Sequence, residues 1–156
     1  MRLFANACVA CLFLMLFAAV PAYAAGGNVD KIGSFENNGL TAEIDTYTEG
    51  AIIVAVIAIR QGDRVETFAF DKNDWPDLER LWNGARAKAG GNYVSVGSLA
   101  ETDTSEKCVI LMAAGPAIRL TIVSPIEGAL VFDVPSYMAG EFEAKLRQAA
   151  AVVTPS

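Results

Sequence analysis

The chain has 156 residues, of which 12 are Lys or Arg, 18 are Asp or Glu, none is His and 53% are hydrophobic. Without His, neither a Ser-His-Asp triad nor a Cys-His pair can form, and no imidazole can bind a metal ion. The net charge of -6 argues against nucleic acid as a partner, because phosphates call for Lys and Arg. The length allows one domain with an adequate core.

The first 24 residues have the features of a secretory signal peptide. Arg2 supplies a positive charge, residues 3–20 contain a single polar side chain, and Ala22-Tyr23-Ala24 matches the small-x-small pattern of a signal-peptidase site. The apolar run is also about long enough for a membrane anchor, which needs roughly 20 residues. No Lys or Arg cluster follows it, so we predict cleavage after Ala24 and a bacterial periplasmic or extracellular location.

Cleavage would remove one Arg and no acidic residue, and would leave a single domain, residues 25–156, with a net charge of -7. We expect this mature form not to be embedded in a membrane. Cys108 would be its only cysteine, so no internal disulfide could form. The domain must therefore be held together by packing.

Residues 29–89 predict four strands followed by a helix. The strands are expected at Val29–Phe35, Leu40–Thr46, Ala51–Ile59 and Val65–Phe70. The motif Asn37-Asn38-Gly39 is typical of a tight hairpin turn. A helical apolar stripe follows Asp74 and comprises Trp75, Leu78, Leu81, Trp82, Ala85 and Ala89.

Residues 92–152 predict the same order of elements again. Strands are expected at Tyr93–Leu99, Cys108–Ala113, Ile118–Ile122 and Leu130–Val134, before a helix that Pro135 and Ser136 open. Trp82 and Leu146 occupy equivalent places in the two helical stripes. The sequence thus predicts an α+β fold of antiparallel sheet with two helices, built as a tandem duplication of a ββββα unit.

This order of elements resembles that of the whirly and PUR families, which bind single-stranded DNA. The resemblance is confined to the order of strands and helices, and none of the sequence motifs of either family is present. Because a signal peptide and an acidic charge both oppose that activity, the resemblance is taken to imply architecture only.

Two apolar runs, Ala51–Ile59 and Cys108–Ala113, are too hydrophobic for strands with one bare face. Either the two sheets pack on each other, or one sheet is buried in a homodimer. We expect each helix to pack on the sheet of its own unit.

Several side chains suggest chemistry that simpler roles explain better. Cys108 is a possible nucleophile, but no base lies beside it and its apolar strand predicts a buried core thiol. The acidic loop 101–106 offers oxygen ligands for Ca²⁺, yet it lacks the EF-hand pattern and is more typical of a solvated hairpin. No metal or other cofactor is predicted.

A third acidic group lies at the start of the first helix and comprises Asp71, Asp74, Asp77 and Glu79. Paired carboxylates serve as acid and base in glycosidases. Helix capping and a favourable helix dipole are the simpler explanation.

Trp75 and Tyr137 are the predicted binding residues, because they begin the two helices at the rim of the sheet and aromatic residues are enriched at binding hot spots. Trp82, deeper in its helical stripe, is predicted to be core. Without a catalytic constellation, the sequence favours an exported, non-enzymatic binding protein, such as an inhibitor, an immunity-type protein or an assembly factor, whose partner is another protein. A carrier of a small apolar ligand and a carboxylate-based hydrolase are the alternatives.

Overall fold

The computed structural model describes residues 27–101 and 107–154. The chain forms eight strands and two helices in these ranges. They are β1 (Asn28–Asn37), β2 (Leu40–Glu49), β3 (Ile52–Gln61), β4 (Arg64–Phe70), α1 (Trp75–Lys88), β5 (Val94–Ala100), β6 (Cys108–Ala114), β7 (Ala117–Ser124), β8 (Gly128–Val134) and α2 (Ser136–Val153). The predicted α+β class is confirmed, as are the type and order of every predicted element.

The strands form two antiparallel sheets of four, each in the order of the chain. Sheet A has the order β1-β2-β3-β4 and sheet B the order β5-β6-β7-β8. The predicted hairpin between β1 and β2 is present, with Asn38 and Gly39 at φ angles of 52° and 76°. Asn and Gly are the residues that adopt two successive positive φ angles most readily, which explains why the chain turns there.

The helices are exchanged between the two halves of the chain. Helix α1, which follows sheet A in the sequence, packs on β5 and β6 of sheet B. Helix α2, which follows sheet B, packs on β1, β2 and β3 of sheet A, with a smaller contact to β7 and β8. The expectation that each helix covers the sheet of its own unit was therefore wrong.

Matching glycines in the two edge strands explain how the exchanged helices fit. The pairing of β1 with β2 shifts by one residue just before Gly33, and that of β5 with β6 shifts just before Gly97. A Cβ on Gly97 would lie 2.7 Å from Leu81 of α1, and one on Gly33 would lie 2.9 Å from Lys145 of α2. Each helix therefore approaches the other unit's edge strand at a place where no side chain stands.

Gly84 adds a third close approach. A Cβ on Gly84 would lie 2.8 Å from Val96 of β5. Although Gly lowers the stability of a helix interior, this one lets α1 approach sheet B.

The two helices also contact each other through aromatic and ionic groups. The rings of Trp82 and Phe142 stack at 5.2 Å between centroids with an interplanar angle of 15°. The Trp82 indole N–H donates to the Glu143 carboxylate at 3.3 Å, and Arg86 pairs with the same carboxylate. Glu79 of α1 pairs with Arg147 of α2. The two halves of the chain are therefore joined both by the packing of each helix on the opposite sheet and by these contacts between the helices.

A single hydrophobic core fills the space between the sheets and helices. It includes residues from seven of the eight strands and from both helices, with Trp82 and Leu146 almost fully buried. Strand β3 lies near β8, and β4 lies near β7 and β8, so the sheets pack partly on each other. The prediction that Trp82 and Leu146 are core residues is confirmed.

We expect Trp82→Ala to lower the free energy of unfolding by about 3–5 kcal/mol, because it removes a large buried ring and leaves a cavity. Leu146→Ala should lower it by about 2–5 kcal/mol for the same reason. The exposed Arg80 gives a control, and Arg80→Ala should stay within about 0.5 kcal/mol. Urea denaturation of the three variants measures this, and an unchanged midpoint for Trp82→Ala would refute the assignment.

Candidate interaction surface

The outward faces of the two sheets differ sharply in charge. Side chains alternate between the faces of a strand, so those that do not enter the core form the outer face. On sheet B the outer face comprises Ser95, Ser98, Ala100, Cys108, Ile110, Met112, Ala114, Ala117, Arg119, Thr121, Val123, Ala129, Val131 and Asp133. Its two charged members neutralise each other, as described next.

Arg119 and Asp133 form a bidentate ion pair across β7 and β8. The guanidinium donates to both carboxylate oxygens, at 2.7 and 2.8 Å. These hydrogen bonds raise the pKa of Arg119 above its ordinary value. The Asp133 main-chain carbonyl accepts from the Asn37 amide at 2.7 Å, which holds β8 against the β1–β2 turn.

An exposed tyrosine lies at the same end of sheet B as this ion pair. The Tyr93 ring is 68% exposed and lies 5.8 Å from the Arg119 guanidinium carbon, a cation–π distance. Tyr137 follows β8 after the turn into α2 and is 80% exposed. This end of the sheet therefore combines Tyr and Arg, residue types enriched at hot spots of protein interfaces.

The two predicted binding residues lie in different environments. Trp75 is half-buried, packs against the core and stacks with Phe70 at 6.0 Å. Tyr137 is solvent-exposed, and no ring contact between the two appears among the described residues. Sequence reasoning missed Arg119, because its pairing with Asp133 depends on the register of β7 and β8.

Cys108 lies on the outer face of sheet B. It begins β6 and is partly exposed, whereas its neighbour Val109 points into the core. The prediction of a buried core thiol was wrong, because an apolar run identifies a strand with two apolar faces but does not show that both faces are covered.

The outer face of sheet A is charged, in contrast to that of sheet B. The Glu43 carboxylate accepts from Lys31 at 2.6 Å and from Arg60 at 2.5 Å. Burial raises the pKa of Glu43, but these hydrogen bonds outweigh it and hold the pKa below its usual value. Glu43 is therefore ionised and paired across three strands.

Asp45 lies beside this network without sharing its partners. It is 7% exposed, and its Oδ1 has no hydrogen-bond partner among the described residues. Burial, and then repulsion from Glu43, raise the pKa of Asp45 to about 6, against the opposing effect of Lys31 and Arg60. An ionised Asp45 destabilises the fold at neutral pH.

Glu66 is a second buried carboxyl, on the inward face of sheet A. Burial raises its pKa, partly offset by a hydrogen bond from Arg64 at 3.3 Å and by Lys107 at 3.9 Å. The register places Glu66 opposite Ile59 and Asp45 opposite Val56, on opposite faces of the sheet. The two carboxyls therefore do not form an acid–base pair.

The acidic residues at the start of α1 are occupied by structural contacts. Asp71 accepts from the Asn73 main-chain N–H at 2.6 Å. Asp74 accepts from the Asp71 main-chain N–H at 3.2 Å and does not cap the helix with its side chain, contrary to expectation. Asp77 pairs with Arg80. These carboxylates shape the β4–α1 turn and the surface of the helix.

Most of the predicted acidic loop, residues 102–106, lies outside the described residues. At its base, the Glu101 carboxylate accepts the Ala69 main-chain N–H at 2.9 Å. Across the described residues, no group of three or more acidic or Cys side chains is placed to hold a metal ion. In the same ranges, neither helix is long and apolar enough to cross a membrane.

A shallow depression of about 440 Å³ follows the β1–β2 turn and is lined by residues 36–41. It is open to solvent and bordered by polar groups, so it does not offer the enclosed apolar cavity that a ligand carrier would need.

Comparison of the chain with protein-family models, with curated proteins and with solved structures finds no match.

We expect Asp45→Asn to raise the free energy of unfolding at pH 7 by about 1–2 kcal/mol, because it removes a buried charge. The folded protein holds a proton on Asp45 between about pH 4 and 6, where the unfolded chain does not. The wild type should therefore gain stability as the pH falls through 6, and its deficit relative to the variant should vanish near pH 4.

Urea denaturation at several pH values measures this difference. Asp63→Asn, in the exposed β3–β4 turn, makes the same change of charge as a control. A constant difference between wild type and Asp45→Asn from pH 4 to 8 would contradict the assignment.

Proposed function

We propose that the mature protein is an exported, non-enzymatic binding protein whose partner is another protein. The observation that carries the proposal is the outer face of sheet B. Apart from the neutralised Arg119–Asp133 pair, no described residue on this face is charged, and Ile110, Val123 and Val131 are partly exposed on it. Charged residues are depleted at the cores of protein interfaces, so this composition is typical of a docking surface.

The charge on the outer face of sheet A supports the assignment of the binding surface to sheet B. Both sheets have the same strand order, yet the outer face of sheet A carries Lys31, Glu43, Asp45, Glu49 and Arg60. Since a charged outer face evidently suits this architecture, the uncharged face of sheet B calls for a separate explanation. Tyr93 and Tyr137 are exposed at one end of sheet B, where each could supply an aromatic contact to a partner.

We infer further that the two halves, residues 29–89 and 92–152, arose by tandem duplication of a ββββα unit. The matched contacts of Gly33 with α2 and of Gly97 with α1 support this. The two glycines lie 64 residues apart, and so do the helix residues that contact them, Leu81 and Lys145. An exchange of helices between two equal units is the arrangement expected if a symmetric dimer became a single chain.

The test of binding uses mature protein as bait against a periplasmic extract of the source bacterium, with captured proteins quantified by mass spectrometry. Val131→Lys places a charge on the outer face of sheet B, where Val131 is 37% exposed. Val29→Lys is the matched control on the outer face of sheet A, where Val29 is 39% exposed.

A supporting result is a protein captured by wild type and by Val29→Lys but lost with Val131→Lys, and then bound by the wild type in purified form. Tyr137→Ala should weaken that binding by about 1 kcal/mol or more without altering stability. If Val131→Lys and Val29→Lys bind the partner equally well, the partner does not bind at the outer face of sheet B.

The export proposal has its own test. We expect the protein recovered from the periplasm or the culture medium to begin at Ala25, because Ala22-Tyr23-Ala24 presents the cleavage pattern. N-terminal sequencing or intact-mass measurement shows this directly. A soluble cytoplasmic protein that retains Met1 would contradict it.

A further inference from the structure

The two sheets have four edge strands, and on two of them a backbone group is already bonded within the chain. On β4, the outward main-chain N–H of Ala69 is bound by the Glu101 carboxylate at 2.9 Å. On β8, the main-chain carbonyl of Asp133 is bound by the Asn37 amide at 2.7 Å. Side chains from the opposite unit thus occupy backbone groups that could otherwise pair with another strand.

The remaining edges, β1 and β5, are equivalent strands of the two halves, but only β1 carries charged side chains that discourage pairing with another strand. The bulge glycines align them, so that Lys31 corresponds to Ser95 and Glu36 to Ala100. Charged side chains along an edge discourage pairing with a second chain. Strand β1 carries Asp30, Lys31 and Glu36, whereas β5 has the sequence VSVGSLA and carries no charge.

The outward backbone groups of β5 follow from its pairing with β6. The main-chain N–H of Glu101 donates to the Lys107 carbonyl at 2.9 Å, so this pair is hydrogen-bonded. In an antiparallel pair, residues whose backbone groups bond to the neighbouring strand alternate with residues whose backbone groups point away from it. The N–H and C=O of Leu99 therefore point towards β6, whereas those of Ser98 and Ala100 point away from it. Both residues are exposed, and no hydrogen bond from another described residue reaches those groups.

We propose that β5 is a dimerisation edge, at which the β5 strand of a second copy of this chain pairs antiparallel across a two-fold axis at Leu99. In this register Ser98 lies opposite Ala100 of the second copy, so each outward donor of one strand meets an outward acceptor of the other. The small side chains of Ser98 and Ala100 allow the close approach that pairing requires.

Charge and topology both favour a second copy as the occupant. The mature chain carries -7, so two copies repel each other wherever acidic surfaces meet, whereas the paired residues Ser98, Leu99 and Ala100 carry no charge. Pairing about a two-fold axis uses the same edge on both copies and closes on itself. Strand β1 carries charged side chains, and β4 and β8 each have a backbone group already bonded within the chain, so β5 is the edge that offers least resistance to a second copy.

The dimer would join two four-stranded sheets into one continuous sheet. The two outer faces of sheet B would then lie side by side and form a surface twice as wide.

The experiment measures the mass of the mature protein in solution by light scattering and sedimentation, over a dilution series. Ser98→Pro removes an outward N–H without touching the β5–β6 pairing, which an edge strand tolerates. Ser34→Pro is the matched control, because β1 has the same Gly-Ser pair at the equivalent place. We expect a dimer for wild type and for Ser34→Pro, and dimerisation weakened at least about tenfold by Ser98→Pro.

Ala100→Glu, which restores the charge present at the equivalent Glu36, is the second variant in case Ser98→Pro fails to fold. Hydrogen exchange gives an independent readout, since the amides of Ser98 and Ala100 should become protected as wild-type concentration rises. A monomeric wild type with rapidly exchanging amides at these positions, or a dimer that Ala100→Glu leaves intact, would overturn the proposal. Either result leaves binding at the outer face of sheet B open to its own test.

Discussion

Each four-stranded sheet has one strongly apolar face, and the helix of the other unit covers it. This exchange is the constraint on which the rest of the structure depends. Leu81 of α1 reaches Gly97 and Lys145 of α2 reaches Gly33, so neither unit can complete its own core. The stacked rings of Trp82 and Phe142 then join the two helices. The inner faces of both sheets are buried in this shared core.

The two outer faces differ in charge although the strand order beneath them is the same. Sheet A pairs its charges internally through Glu43 and keeps a poorly compensated carboxyl, Asp45, within the same face. Among the described residues, the outer face of sheet B carries charge only in the neutral Arg119–Asp133 pair, and its edge strand β5 lacks charged residues of the kind that β1 carries. An uncharged face beside an uncharged edge is a composition typical of surfaces that contact other proteins.

The sequence was sufficient to predict the strands and helices but not which sheet each helix packs on. Alternation, apolar runs and the Asn-Asn-Gly turn predicted every strand and helix, because these signals are local. Nothing local distinguishes a helix that packs on its own sheet from one that packs on its neighbour's, since the same apolar stripe serves both. Cys108 was misplaced for a related reason, as hydrophobicity does not reveal which face of a strand is covered. Tyr137 could be recognised as an exposed aromatic residue, whereas the role of Arg119 required the register of β7 and β8.

The most direct test of this account is a measurement of nuclear Overhauser effects in the uniformly isotope-labelled mature protein. The exchanged arrangement predicts contacts between the Leu81 methyls and the Gly97 α-protons, and between the Lys145 side chain and Gly33. Contacts from the Leu81 methyls to β2 and β3 of sheet A, with none to β5, would show that each helix covers its own sheet and would contradict the account.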